Sequence, residues 1–322
     1  MVRRHSNRYP AGIGINMAKL KLLILLLVFH ICSGFSGVSQ SDPFTIIEQN
    51  IYQSPILWQS NHGYTDTGGK TVRNAAINTG VKNLVLIIDG QSLMGAGTPT
   101  AYTVTNSGAI DNFNFYDGSN YVYSDPPLGS TWAYLALGGS LPTPSPGSLG
   151  GRIADKFITN GVFARVIVVP IAVGGTAIAT HATGRLTDRI GVAIKRLASI
   201  GITPATTNVT FAILWGQGEG DSGTSTPAYT SALQTVRANA VAAGFSGRFF
   251  VNKETWVGGV VTPAVQAAQT GVVDNSTFWA GADMDSLNAT NRIADNTHLN
   301  DTGAAAAATL IYNAMHASGA PF

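Results

Sequence analysis

Residues 84–97 read Leu84-Val85-Leu86-Ile87-Ile88-Asp89-Gly90-Gln91-Ser92-Leu93-Met94-Gly95-Ala96-Gly97. An apolar run rich in β-branched residues, too short for a helix and closed by glycines, predicts a buried strand that ends in a tight turn. The same grammar recurs at 166–171, 209–214, 248–251 and 278–280. Between these runs lie segments with helical spacing near 148–160, 184–200, 227–243 and 262–270. A last helix is expected at 303–317, where the Ala304 to Ala308 run favours helix strongly. Strands that alternate with helices pair in parallel, because each crossover returns the chain to the same edge of the sheet. The expectation is one three-layer α/β domain over 83–322 with roughly five strands.

Two stretches fall outside that rhythm. Residues 41–82 are polar, with scattered Gly, Asn and Thr and no sustained period, and predict an N-terminal arm or small cap. Residues 98–146 are rich in Gly, Asn, Tyr, Asp and Pro and too long for a plain connection; they predict an insertion that lies over the site. Its aromatic residues, Tyr102, Phe113, Phe115, Tyr116, Tyr121, Tyr123 and Trp132, suit either stacking on sugar rings or packing of the insertion onto the domain.

In sheets of this kind ligands bind beyond the carboxyl ends of the strands. After the first run, glycines around Ser92 let the backbone turn sharply, so Ser92 is either a projecting nucleophile or simply a turn residue. The glycine spacing fits neither a dinucleotide fingerprint nor a phosphate loop. After the second run comes Val173-Gly174-Gly175-Thr176, where an amide can face a developing oxyanion or merely close a turn. The third run ends in Trp215-Gly216-Gln217-Gly218-Glu219-Gly220-Asp221-Ser222, which places one of only three glutamates beside a side-chain amide. Gln217 is a candidate oxyanion donor, and Glu219 and Asp221 can orient loops or bind substrate hydroxyls. Before the last helix stands Asp295-Asn296-Thr297-His298. A carboxylate three residues from a histidine can hold its ring as a general base, whereas the plainer reading makes Asp295 a turn residue and His298 a packing residue.

Together these blocks resemble the SGNH (GDSL-type) hydrolases, and most closely the branch of sialate O-acetylesterases and acetylxylan esterases. That branch reads approximately GQSN, GGT or GGS, W-x-QGESD and D-x-x-H, where this chain has GQSL, VGGTA, WGQGEGDS and DNTHLND. Leu93 stands in place of the usual Asn, and Gly220 is inserted before Asp221 where Ser would sit. The resemblance spans about 83–316. It implies a flavodoxin-like three-layer fold and a serine esterase that removes acetyl groups from sugar hydroxyls without metal or organic cofactor. In that scheme Ser92 is the nucleophile, His298 the base and Asp295 its orienting acid. The oxyanion hole is formed by the amides of Ser92 and Gly175 with the side chain of Gln217, and Gln91, Glu219 and Asp221 contact substrate. A non-catalytic carbohydrate-binding protein on the same fold, or a lipid or thioester acyl hydrolase, are the competing readings.

Composition narrows the partners. Only 11% of the 322 residues are charged, and the formal charge of +2 is carried by the start of the chain. Arg3, Arg4, Arg8, Lys19 and Lys21 precede any acid; without those five of the 19 basic residues, 14 face 17 acidic ones. A net acidic body argues against nucleic acid as partner, since phosphate binding needs a basic face. The basic start runs into an apolar stretch at 22–29 followed by small residues, the layout of a secretory signal over 1–40 and too short to span a bilayer. A secreted or periplasmic protein without a stable membrane anchor is expected, acting on an acetylated carbohydrate or other small ester. The one cysteine, Cys32, lies within that segment, so no disulfide framework or thiol nucleophile is expected beyond it.

Overall fold

Strand β1 (Asn83–Gly90) is buried along its whole length and sits at the centre of the sheet. Its side chains alternate between two cores, as period-2 geometry requires. Leu84, Leu86 and Ile88 pack with Ile153, Phe157, Ala304, Ala308 and Ile311 on one face. On the other, Val85 and Ile87 pack with Ile190, Leu197, Leu233 and Val265. A strand covered on both faces is apolar throughout, which is why its run was legible.

The computed structural model describes residues 67, 69–95, 97–129 and 147–317. All of them belong to one unit, Tyr52–Phe322. The expected signal region at 1–40 and most of the arm lie outside the described residues. The other strands are β2 (Ile110–Asn114), β3 (Ser119–Val122), β4 (Arg165–Pro170), β5 (Val209–Gly216), β6 (Arg248–Lys253) and β7 (Trp279–Asp283). Helices α1 (Gly150–Thr159) and α6 (Asp301–Ala317) cover one face. Helices α2 (Ile178–Ala182), α3 (Arg189–Ser199), α4 (Thr226–Ala242) and α5 (Pro263–Gly271) supply the other.

Among the described residues the sheet has seven strands in the order β3-β2-β4-β1-β5-β6-β7, parallel except for the β2–β3 pair. The five expected runs are β4, β1, β5, β6 and β7, a flavodoxin-like core. The two additional strands come from the insertion. Residues 110–122 form a hairpin whose β2 pairs with β4 in parallel, so this part of the insertion extends the sheet edge and is not a cover for the site. Its signal was weak because Asn112, Asn114 and Asn120 interrupt the apolar pattern; Asn112 bonds the backbone of Leu128 through both its amide and its carbonyl oxygen. Phe113, Phe115, Tyr121 and Tyr123 are buried, and Tyr102 and Tyr116 half-buried, so these aromatics chiefly pack the insertion onto the domain; Trp132 lies outside the described residues.

The end of the arm seals the open edge. Val72 bridges Tyr121, and Arg73 joins Arg165 in flanking the fully buried Asp111 at 2.7 and 2.5 Å. Covering an edge strand in this way removes a template for pairing with another chain. No helix among the described residues is long and apolar enough to cross a membrane.

At its carboxyl end β1 abuts β5, with Gly90 opposite Gly216. Gly90 has φ +125°, and a Cβ there would lie 1.9 Å from the Gly216 carbonyl oxygen. Gly90→Ala is therefore expected to destabilise the protein by more than about 3 kcal/mol, whereas Gly161→Ala, at φ +69° with open space around it, should cost about 1 to 2 kcal/mol. Urea unfolding of both variants checks the contrast.

Candidate active site

The Gly90 turn redirects the chain, and the Gln91 amide donates to the Gly216 carbonyl at 2.9 Å. The next residue, Ser92, thus stands at the carboxyl edge of the sheet beside the β1–β5 junction, where the strand order reverses. From the opposite end of the sequence, residues 292–299 fold back as a loop with Arg292 bridged to Leu299. Asn296 takes φ +52°, a conformation asparagine tolerates. Asp295 Oδ1 accepts from the amides of Thr297 at 2.8 Å and His298 at 2.9 Å, a local turn that positions its carboxylate.

Asp295 Oδ2 lies 2.6 Å from His298 Nδ1, and His298 Nε2 lies 2.9 Å from Ser92 Oγ. The three groups form one continuous hydrogen-bonded line. Burial pushes the Asp295 carboxyl up, but the bonds from the His298 ring and the two amides outweigh it and hold the group below the ordinary aspartate range. An ionised carboxylate accepting from Nδ1–H turns the lone pair of Nε2 towards the serine proton.

The loop has supports the sequence did not advertise. Arg292 donates to the carbonyls of Leu287 and Met284 at 2.9 and 3.0 Å and also to that of Thr297. Trp256 Nε1 donates to the Asn296 carbonyl at 2.9 Å. Both are separated from the motif by apolar or irregular sequence, and no spacing marks them.

Gly175 is exposed at φ +69° just after β4. The amide of Val173 donates to the Gly90 carbonyl at 3.0 Å, which brings this loop alongside the Ser92 turn. Neither the Ser92 amide nor the Gly175 amide donates to another described residue. Two amides without a described partner, on loops joined through Gly90, can receive negative charge that develops on a bound carbonyl oxygen.

Gln217 departs from the sequence expectation. It is fully buried, and its Nε2 faces Asp221 Oδ2 at 2.5 Å, the Thr176 carbonyl at 3.0 Å and Gln91 Oε1 at 3.2 Å. Tyr229 donates to its Oε1 at 2.9 Å. Three acceptors already compete for two hydrogens, so the amide is turned inward and is not offered as an oxyanion donor.

Of the residues expected to contact substrate, Gln91 and Asp221 are likewise engaged within the protein, whereas both carboxyl oxygens of Glu219 are buried without a hydrogen-bond partner among the described residues. Gln91 Oε1 also accepts from the Gly220 amide at 3.1 Å. Asp221 accepts from the Ile178 amide and the Thr224 hydroxyl, both at 2.9 Å. Glu219 is buried against Glu254, and desolvation followed by mutual repulsion pushes its carboxyl well up. Burial, with the Asp285 charge second, raises Glu254 to about 8. Leu93 is a buried core residue beside Met94. At position 220 a Cβ would sit 2.8 Å from the Thr176 carbonyl oxygen, which excludes serine in this backbone.

The profile of a family described as "Carbohydrate esterase, sialic acid-specific acetylesterase" matches residues 82–315. The X-ray structure of an Arabidopsis thaliana protein is similar over 74% of this chain and 100% of its own, with 19% identity and a TM-score of 0.55. That likeness concerns the fold. A carbohydrate acetylesterase from Xanthomonas citri is similar over 74% of this chain and 56% of its own, at 13% identity and a TM-score of 0.43. No curated protein is a significant sequence match.

Two outcomes are expected from the buried polar groups. Gln217→Leu strands the acceptors of Asp221, Thr176 and Gln91, so it should cost about 1 to 3 kcal/mol of stability, read as a melting temperature several degrees lower. The folded Glu254 carboxyl has a raised pKa, so its proton is bound more tightly folded than unfolded. Its stabilising effect is full in acid and is lost as pH rises from the ordinary glutamate range towards 8. The melting temperature of the wild type should therefore fall more steeply between about pH 5 and 8 than that of Glu254→Gln. Parallel curves would show that Glu254 does not titrate in this way.

Proposed function

The chain belongs to the carbohydrate esterase family of sialic acid-specific acetylesterases, and from that premise we propose that it removes O-acetyl groups from sugar hydroxyls with Ser92, His298 and Asp295 as its catalytic residues. The observation that carries this reading is the unbroken line from Asp295 through His298 to Ser92 Oγ.

His298 Nε2 takes the Ser92 proton as Oγ attacks the ester carbonyl. The oxyanion of the tetrahedral intermediate lies against the amides of Ser92 and Gly175. On collapse His298 returns the proton to the departing sugar oxygen, which leaves an acetyl-serine. Water then enters, loses a proton to the same nitrogen and attacks the acyl carbon; a second collapse releases acetate and restores Ser92. Asp295 keeps the ring in the tautomer with the proton on Nδ1 and offsets the positive charge when both nitrogens are protonated. The leading basic and apolar segment supports a site of action outside the cytoplasm, where acetylated polysaccharides are found.

Hydrolysis of p-nitrophenyl acetate by Ser92→Ala should be lower by about three or more orders of magnitude with the melting curve unchanged, and His298→Ala should lose about as much, since the two act as one unit. An alkyl phosphonate should label Ser92 in the wild type. Near-normal turnover by Ser92→Ala, or labelling elsewhere, would overturn the assignment. Faster hydrolysis of long-chain than of acetyl esters would favour an acyl hydrolase over a deacetylase.

A further inference from the structure

Behind the site lies a second line of an aspartate, a histidine and a hydroxyl, this one closed to solvent. Asp89, His181 and Thr176 are each at least 97% buried. His181 Nε2 is 2.9 Å from Thr176 Oγ1, and its Nδ1 is 3.5 Å from Asp89 Oδ1. We propose that Asp89, His181 and Thr176 are positioning residues for the esterase reaction, which hold the Gly175 amide in place to receive the oxyanion. The inference rests on the function proposed above and deepens it.

The argument begins with what Gly175 lacks. It has no side chain, its φ of +69° is open to many neighbouring conformations, and its amide donates to no described residue. Its direction is set by the bonds that tie down residues 173–178. Val173 is held to the β1 end through Gly90, the Thr176 carbonyl accepts from Gln217, and the Ile178 amide donates to Asp221. The remaining tie is the Thr176 hydroxyl, which donates to the Val173 carbonyl at 2.7 Å and so closes the turn around Gly175.

Proton bookkeeping then orients the array. A carbonyl can only accept, so the Thr176 hydroxyl spends its hydrogen on Val173, and its oxygen must accept from His181 Nε2–H. Burial, reinforced by the charge of Arg189, pushes His181 down to about 3, so the ring is neutral and Nδ1 presents a lone pair to Asp89. Two facing acceptors repel unless the carboxyl carries a proton, and desolvation raises Asp89 to about 7. Asp89 Oδ1 also accepts from the Gly90 amide at 2.7 Å, which joins the array to the turn that presents Ser92. Thus one line of contacts runs from the base of the serine turn to the loop of the oxyanion glycine. A histidine needed only for packing against Trp215, whose ring is 5.1 Å away, would require neither the aspartate nor the hydroxyl.

The test compares Thr176→Val with Thr176→Ser, and Asp89→Leu with Asp89→Asn. Rates of p-nitrophenyl acetate hydrolysis are counted per active serine titrated with phosphonate. Thr176→Val should lower kcat about tenfold or more with KM within about twofold, and Thr176→Ser should restore most of the loss. Asn supplies an N–H to His181 Nδ1 much as a protonated Asp89 does, so Asp89→Asn should keep most of the activity that Asp89→Leu loses. An alkylboronic acid, which forms a tetrahedral adduct on Ser92, should bind more weakly to Thr176→Val by about the factor lost in kcat/KM. A purely structural role predicts a lower melting temperature with normal kcat per active serine and normal boronate affinity, and that result overturns the proposal. Should Thr176→Val not fold, the Asp89 pair decides: equal rates in Asp89→Leu and Asp89→Asn overturn it. If Ser92→Ala is active in the same assay, the esterase reading itself fails. If Ser92→Ala is inactive and the Thr176 and Asp89 variants run at wild-type rates, this inference alone fails.

Discussion

The close approach of two backbones, at Gly90 and Gly216, is the constraint on which the site depends. The central strand and its neighbour end side by side there, with no room for a Cβ on Gly90. A Cβ on Gly216 would in turn meet Glu254 Oε2 at 2.5 Å and the Met94 side chain. With both positions bare, β1 and β5 can run to their last residues in register, and the chain can leave β1 as a turn pinned to the Gly216 carbonyl. Ser92 inherits its place from that contact. The β4 loop is then registered onto the same turn through Gly90, and the β5 loop through Gln91.

Solvent exposure divides the acids around this edge into two kinds. Asp295 keeps about a third of its side chain in water and collects three hydrogen bonds, so it remains an anion and can support a charged imidazole. Asp89, Glu219 and Glu254 are enclosed, and desolvation raises all three. A proton held on a buried carboxyl is a hydrogen-bond donor, and in the Asp89 array that property matters more than charge. The carboxylate of Asp221, in the same loop as Glu219, is instead spent on Gln217, Ile178 and Thr224. Identical chemistry thus serves different ends according to what surrounds it.

Around the free amides of Ser92 and Gly175, the third-strand block acts as scaffolding. Gln217 crosses from the end of β5 to the Thr176 carbonyl, and Asp221 reaches the Ile178 amide at the start of α2. Rigidity of this kind would serve the oxyanion site proposed above, because donors that are already aimed need not reorganise when charge appears. The insertion contributes to the sheet more than to the cleft among the described residues, with Phe113 and Phe115 in one core and Tyr123 in the other.

The sequence by itself determined the five core strands, their parallel pairing, the strand-end positions of Ser92 and Gly175 and the place of the Asp295–His298 pair before the last helix. Those signals are local: short apolar runs rich in β-branched residues, glycines at turns, and a carboxylate three residues from a ring. Tertiary structure decided where each polar side chain points. Ser92 and His298 are 206 residues apart, and Gln91 and Gln217 are 126 apart. Nothing in the neighbourhood of Gln217 tells a cleft donor from a buried tie, because two of the three acceptors that compete for its hydrogens, Gln91 and Thr176, arrive from the ends of other strands, and only Asp221 is local. The same holds for the edge hairpin, whose asparagines look like loop residues until the Leu128 backbone supplies partners for Asn112. It holds equally for His181, whose place between Asp89 and Thr176 exists only once β1 and β4 lie side by side.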